Sequence, residues 1–412
     1  MYQILSKIYY KDNANYNYEL DIRLKSYGTT YLPFKIKPIK SRNEFQCFIV
    51  NYQELDYLHY QITMNTKKIL DFIHSKDIPG IAINNYIKSK LIDELLSTNT
   101  IEGVRSTKAE LEYALEQVEK ISSTKKSKVK HESLMKTYYN LMRDKSIPLA
   151  TANDIRAIYD ELVKDEINAD DALDGKLFRS QPVDVKTETG KLLHRSILNE
   201  ENIISQINSM LDFISHFKLP MLYKIAVSHY IFGYIHPFYD GNGRTSRFIS
   251  SMLLKDELDI LTALTLSYST HLSQSKYYDA FNVSNDPLNH GDLTYFCNIF
   301  FEIIHQAQIH VLDELSMNKF KMNKLIKLIQ SLNIDHQLYQ DVLFIIGQSY
   351  IFGLKDKGIS KTELIDCKET SDYLMKKALT HLQKQDYIKL ISKNPIVVTL
   401  SDSLQHQLEA LE

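Results

Sequence analysis

Twelve residues, His236-Pro-Phe-Tyr-Asp-Gly-Asn-Gly-Arg-Thr-Ser-Arg247, constrain this chain more than any other feature. Gly241, Asn242 and Gly243 are residue types that turn successive backbone N–H groups toward one point. The helix expected to follow adds unpaired N-terminal amides and the positive end of its dipole, so turn and helix together predict an anion hole suited to phosphate. Arg244 and Arg247, three apart, share one side of the first helical turn and can grip a polyphosphate with bidentate hydrogen bonds. Asp240 can hold a magnesium ion that bridges phosphate oxygens. His236 is the loop group whose ordinary pKa suits a general base near neutrality. Pro237 fixes the backbone after it, and Phe238 is expected to anchor the loop in the core. A glycine-rich turn before a helix is often only a cap, and a lone histidine is often structural. The order His, acid, Gly-Asn-Gly, Arg, Arg within twelve residues argues for a nucleotide site. It is not a P-loop, because Arg244 stands where a lysine is needed and the upstream glycine is missing.

The rest of the chain predicts a mainly α protein. Residues 1 to about 50 read as irregular and extended: Tyr18–Leu24 alternates apolar and polar, and Phe45–Val50 is rich in strand formers. From about 51 helical periodicity takes over, through Leu55, Leu58 and Ile62, then Ile69, Leu70 and Ile73, then Ile87, Leu91 and Leu95. Ser106-Thr-Lys-Ala-Glu110 reads as a capped helix start leading to Leu111, Ala114, Leu115 and Val118. Further helices fit 131–144, 152–164, 199–217, 220–233, 243–256, 271–284 and 291–332. Lys120 to Lys130 reads as a solvated connector rather than a nucleic-acid patch, since no aromatic interleaves it. Gln181 to Ile197 alternates and turns at Thr189-Gly190, a small hairpin in a helical region. Near the C-terminus a Ser360-capped helix, a second helix from Ser371, and strands at Tyr387–Ile391 and Ile396–Leu400 give a winged-helix pattern. Lys376, Lys377 and Lys384 on the second helix could contact DNA or simply be solvated.

Bulk properties narrow the function. Acidic and basic residues nearly cancel, for a formal charge of −2, so no global attraction to nucleic acid or an anionic membrane is expected. The three cysteines, Cys47, Cys297 and Cys367, form no CxxC pair, which argues against a disulfide framework or a zinc site. With no signal peptide and no apolar run long enough to span a bilayer, a cytoplasmic location is expected.

The twelve-residue segment resembles the signature of the Fic (filamentation induced by cyclic AMP) family, His-Pro-Phe-x-Asp/Glu-Gly-Asn-Gly-Arg-x-x-Arg, at every defined position. The resemblance implies a helical catalytic core, placed at 126–315, with the hairpin as a target-binding flap. It also implies a protein adenylyltransferase. His236 would deprotonate a Ser, Thr or Tyr hydroxyl of a target or of the protein itself, which attacks the α-phosphorus of ATP while pyrophosphate leaves. Asp240 would position Mg2+, Asn242 with the amides of Gly241 and Gly243 would hold the α-phosphate, and Arg244 and Arg247 the β- and γ-phosphates. Tyr277 and Tyr278 resemble the family's adenine-side aromatic pair, although they read equally well as core tyrosines. Thr98-Asn-Thr-Ile-Glu102-Gly103 resembles the family's inhibitory motif, Ser/Thr-x-x-x-Glu-Gly/Asn. It implies an inhibitory helix at about 84–103 within an N-terminal region 1–125, where Glu102 would pair with Arg247 and deny it to the γ-phosphate. The same carboxylate could position a water that removes AMP from a modified target. Residues 335–412 would be the winged-helix-like domain, and a homodimer is possible. The reading from another class is a nucleotide-sensing, DNA-binding regulator acting through that domain. Some relatives transfer phosphate or phosphocholine, but the death-on-curing branch carries a Lys in the loop, whereas Gly243 here keeps the anion hole open.

Overall fold

In a computed structural model the described residues are 2–39, 41–75, 78–120, 129–163, 167, 171–186, 192–354 and 357–410. Two expected features, the turn at Thr189-Gly190 and most of the polar loop at 120–130, lie outside them. The chain is mainly α-helical, with three small sheets among the described residues. It divides into two compact units, one formed by residues up to 67 with 91–309, the other by 68–90 with 310–412.

The first unit begins with a correction. The expected extended segment is instead two helices, α1 (Leu5–Lys11) and α2 (Asn13–Lys25). The alternation at Tyr18–Leu24 does not correspond to burial, since Tyr18 is 66% and Ile22 43% exposed. Burial instead follows two helical turns, from Tyr16 to Arg23. Long-range bonds decide this: Arg23 pairs with Asp292 at 3.1 Å and with Glu19, one turn earlier, at 2.9 Å. The antiparallel pair β1 (Thr29–Ile36) and β2 (Phe45–Val50) follows. Then come α3 (Gln53–Ile73) and α4 (Gly80–Ile101), whose residues from 68 to 90 belong to the second unit, and α5 (Lys108–Glu119). The start of α5 is the expected capping box, with the Thr107 hydroxyl accepting from the Glu110 N–H and Glu110 returning the bond to the Thr107 N–H.

The centre of this unit is built from α6 (Glu132–Met142), α7 (Ala152–Val163), the paired strands β3 (Asp184–Lys186) and β4 (Leu192–Arg195), α8 (Glu200–His216), α9 (Met221–Ile235) and α10 (Asn242–Glu257). Helix α9 is buried on nearly every side from Leu222 to Phe232, as its lack of a polar face requires. It therefore serves as the fixed post from which the 236–241 loop departs. After α10 come α11 (Ile260–Ala263), α12 (Leu266–Leu272), α13 (Gln274–Ser284) and the first half of α14 (Thr294–Ser331). The short pair α11 and α12 was not expected; each is too brief to show a helical period.

In the second unit, Lys90 and Tyr86 both reach Glu314 of α14, at 2.7 and 2.6 Å. Helix α15 (Gln337–Phe352) leads to β5 (Ile359–Ser360), α16 (Lys361–Lys368), α17 (Asp372–Lys384), β6 (Ile388–Lys393), β7 (Ile396–Leu400) and α18 (Asp402–Glu409). The strands form one sheet in the order β5-β7-β6. Ser360 caps α16 through a capping box with Glu363, and Ser371 caps α17. Lys376, Lys377 and Lys384 are all exposed, the last two on the face of α17 opposite Met375, Leu379 and Leu382.

Candidate active site

The loop is anchored from below and shaped from within. Phe238 is fully buried and stacks on Tyr159 with ring centroids 3.6 Å apart, as expected of an anchor. Truncating it would open a cavity under the whole loop, so Phe238→Ala is expected to cost about 3–5 kcal/mol, measurable by denaturant unfolding. Gly241 caps α10 at φ 77°, and a Cβ there would meet Val163 at 2.8 Å, so both conformation and space require glycine. Asn242 also holds the loop together. Its amide receives the Phe238 N–H at 2.9 Å and donates to the Phe238 carbonyl at 2.8 Å, so the side chain braces the loop. What Asn242 presents at the anion hole is its backbone N–H, in the unpaired first turn of α10.

His236 ends α9 in the left-handed region at φ 51°, its N–H still bonded to the Phe232 carbonyl at 2.9 Å. Asp240 accepts from the Gly241 N–H at 2.6 Å and lies 3.3 Å from Arg244, with its side chain 44% exposed. Arg244 and Arg247 are both 1% exposed.

A remote segment completes the site. From α4, Thr98 accepts Arg247 through its hydroxyl at 3.0 Å and its carbonyl at 3.2 Å, and the Glu102 carboxylate pairs with Arg247 at 2.8 Å. Burial works against the Arg247 charge, but Glu102 and the neighbouring tyrosines together hold the guanidinium above its ordinary pKa. The same carboxylate lies against Gly243, where an added Cβ would fall inside its van der Waals surface. A carboxylate thus stands at the amino end of α10, between its dipole and its arginine.

Several participants carried no sequence signal. Glu94, two turns before Glu102, is fully buried and accepts from the Ser267 N–H at 2.7 Å; burial pushes its carboxyl up to about 7. His229 bonds Ser250 at 2.8 Å and Tyr277 at 2.7 Å. Tyr277 is consequently buried beside Arg247, while Tyr278 is 40% exposed. Burial, aided by the Arg247 charge, drives the His229 pKa down to about 3. The native state then refuses a proton that the unfolded chain accepts below its ordinary 6.5, so this contribution to stability is present above about 6.5 and is lost as pH falls toward about 3. Melting temperatures measured across that window should fall less steeply for His229→Gln than for the wild type.

Arg179, just ahead of the hairpin, is also fully buried. Its guanidinium donates to four backbone carbonyls: His236 at 2.7 Å, Ile235 at 3.1 Å, Gln181 at 2.6 Å and Ile197 at 2.9 Å. Its own N–H donates to the Pro237 carbonyl at 3.2 Å.

The buried helix α9, the 236–241 loop and most of α10 fall within a stretch that a family model matches. Residues 149–254 match the family model described as Fic/DOC family, and the chain carries a domain of that family. A Fic family protein from Desulfovibrio desulfuricans is similar in structure over 86% of this chain and 97% of its own, with TM-score 0.53 and 16% identity, which shows a shared fold. Fic-1 from C. elegans is similar over 63% of this chain and 73% of its own, at TM-score 0.43 and 15% identity. A Fic domain containing signaling protein from Bacteroides thetaiotaomicron is similar over 62% and 94%, at 0.41 and 18%. No curated protein matched the chain. No helix among the described residues is long and apolar enough to cross a membrane.

Proposed function

We propose that this Fic-domain protein transfers AMP from ATP to a Ser, Thr or Tyr hydroxyl of a target protein or of itself, and that Glu102 restrains the reaction. The observation that carries the reading is the Glu102 carboxylate seated on Arg247 and against Gly243: an anion already rests where the loop's amides and arginine would receive a phosphate.

In the transfer, the target oxygen forms a bond to the α-phosphorus of ATP as the bond to the pyrophosphate oxygen breaks. His236 takes the hydroxyl proton on its imidazole. The α10 amides and Arg244 hold the triphosphate, and Arg247, once released, takes its far end. Asp240 fits a magnesium site, since one half-exposed carboxylate with phosphate oxygens is what that ion needs, and the ion supplies charge neutralisation to the phosphates. The exposed edge of β3–β4 can pair with an extended target segment, main chain to main chain. In the same reading Glu102 also holds a water for AMP removal; incubation of an AMP-modified target with wild type and with Glu102→Gly separates the two, because only wild type should release AMP.

The direct test is intact mass after incubation with ATP and magnesium, with wild type and the Glu102→Gly variant side by side. A second reading, nucleotide-sensed DNA binding through the winged-helix-like segment, is favoured by the exposed lysines of α17. A gel shift that changes with ATP would support it.

A further inference from the structure

We infer that Arg179 is a positioning residue that locks the hairpin and the catalytic histidine into one frame, so that a target strand bound by the hairpin meets the base in register. This rests on the AMP-transfer reading above. Two of the four carbonyls that Arg179 holds, Ile235 and His236, end α9; the other two, Gln181 and Ile197, flank the hairpin. The hairpin base is closed by Val183 and Ser196, whose backbones pair at 3.0 Å, with the Ser196 hydroxyl accepting the Val183 N–H at 2.7 Å. One side chain therefore ties two segments far apart in the sequence.

The chemistry favours arginine for this work. All four acceptors are neutral carbonyls, and only a planar fork with five donors can reach them together. A buried cation bonded in this way is costly, and burial drives its pKa down to about 10. The negative end of the α9 dipole offsets part of that cost. A residue that only filled space would need neither charge nor fork. His236 is the second reason. A non-glycine residue in the left-handed region is strained and persists only where its surroundings hold it. The Arg179 bond to the His236 carbonyl supplies that hold without touching the imidazole.

The experiment uses the full chain carrying Glu102→Gly, with Arg179→Lys and Arg179→Met added separately. Three quantities are read: ATP affinity by calorimetry, single-turnover AMP incorporation, and amide hydrogen exchange. ATP affinity is expected to hold, because the phosphate contacts lie at 241–247. AMP incorporation is expected to fall about 10²-fold, the scale of a misplacement near 1 Å. Arg179→Lys recovers little of that, since an ammonium cannot span both segments. Exchange is expected to rise together at 181–184, 195–198 and 235–240 while α10 keeps its protection. Full transfer in either variant, or faster exchange in the hairpin with the 235–240 loop unchanged, overturns the inference. Loss of protection throughout 91–309 in both variants also overturns it, by making Arg179 a residue of the fold alone. The exchange arm needs no turnover: if the Glu102→Gly parent transfers nothing, the AMP-transfer reading fails while the coupling of hairpin and loop is still decided.

Discussion

Glu102→Gly should raise AMP transfer by about 10- to 150-fold, the worth of a hydrogen bond between charged partners at roughly 1.5–3 kcal/mol. The substitution does two things at once. It frees Arg247 and clears the space against Gly243 at the amino end of α10. It also leaves Arg247 in place, because Thr98 still accepts from it through hydroxyl and carbonyl. The guanidinium is therefore released without being lost. A buried cation that has lost its partner destabilises the fold. ATP should consequently raise the melting temperature of the variant more than that of the wild type, by supplying the missing anion. Label from α-labelled ATP, followed in both proteins, checks the prediction. If no protein acquires label even with Glu102 removed, the transferase reading is wrong.

His236→Ala, made on the Glu102→Gly background, should lower transfer by about 10²–10⁴-fold, the usual contribution of a positioned general base. ATP affinity should be nearly unchanged, since His236 lies outside the amide and arginine contacts of 241–247. The loop should also keep its shape. Arg179 bonds the His236 carbonyl, Phe238 is stacked on Tyr159, and Asn242 braces the Phe238 backbone; none of these uses the imidazole. A variant that loses both binding and transfer would point to a structural histidine instead. Calorimetry beside single-turnover kinetics distinguishes the two, because a base acts on the chemical step alone.

Much of this architecture is written in local chemistry. Capping boxes at Thr107 and Ser360 and the period of Leu91 and Leu95 each depend on residues within a few turns, so their reading needs no tertiary knowledge. The N-terminal helices were misread for the opposite reason. Helix α2 is held by Arg23 bonding to Asp292, a partner 269 positions away that no local pattern announces. The bracing contact of Asn242 was hidden in a similar way. An amide in a phosphate-type loop suggests a ligand contact, yet the tight turn after His236 leaves the Phe238 backbone within its reach.

The chemistry of the site, one histidine, one acid and two arginines around a glycine turn, was determined by twelve consecutive residues, because an anion hole at a helix start is local. The motif at 98–103 had named Glu102 as a partner and nothing had named Arg179, but the state of the twelve was decided by the tertiary structure. It seats Glu102 on Arg247 across 145 residues and fixes the His236 backbone through a buried arginine 57 positions upstream. Only packing brings such partners together, since a charge in the sequence has no address until the chain has folded around it.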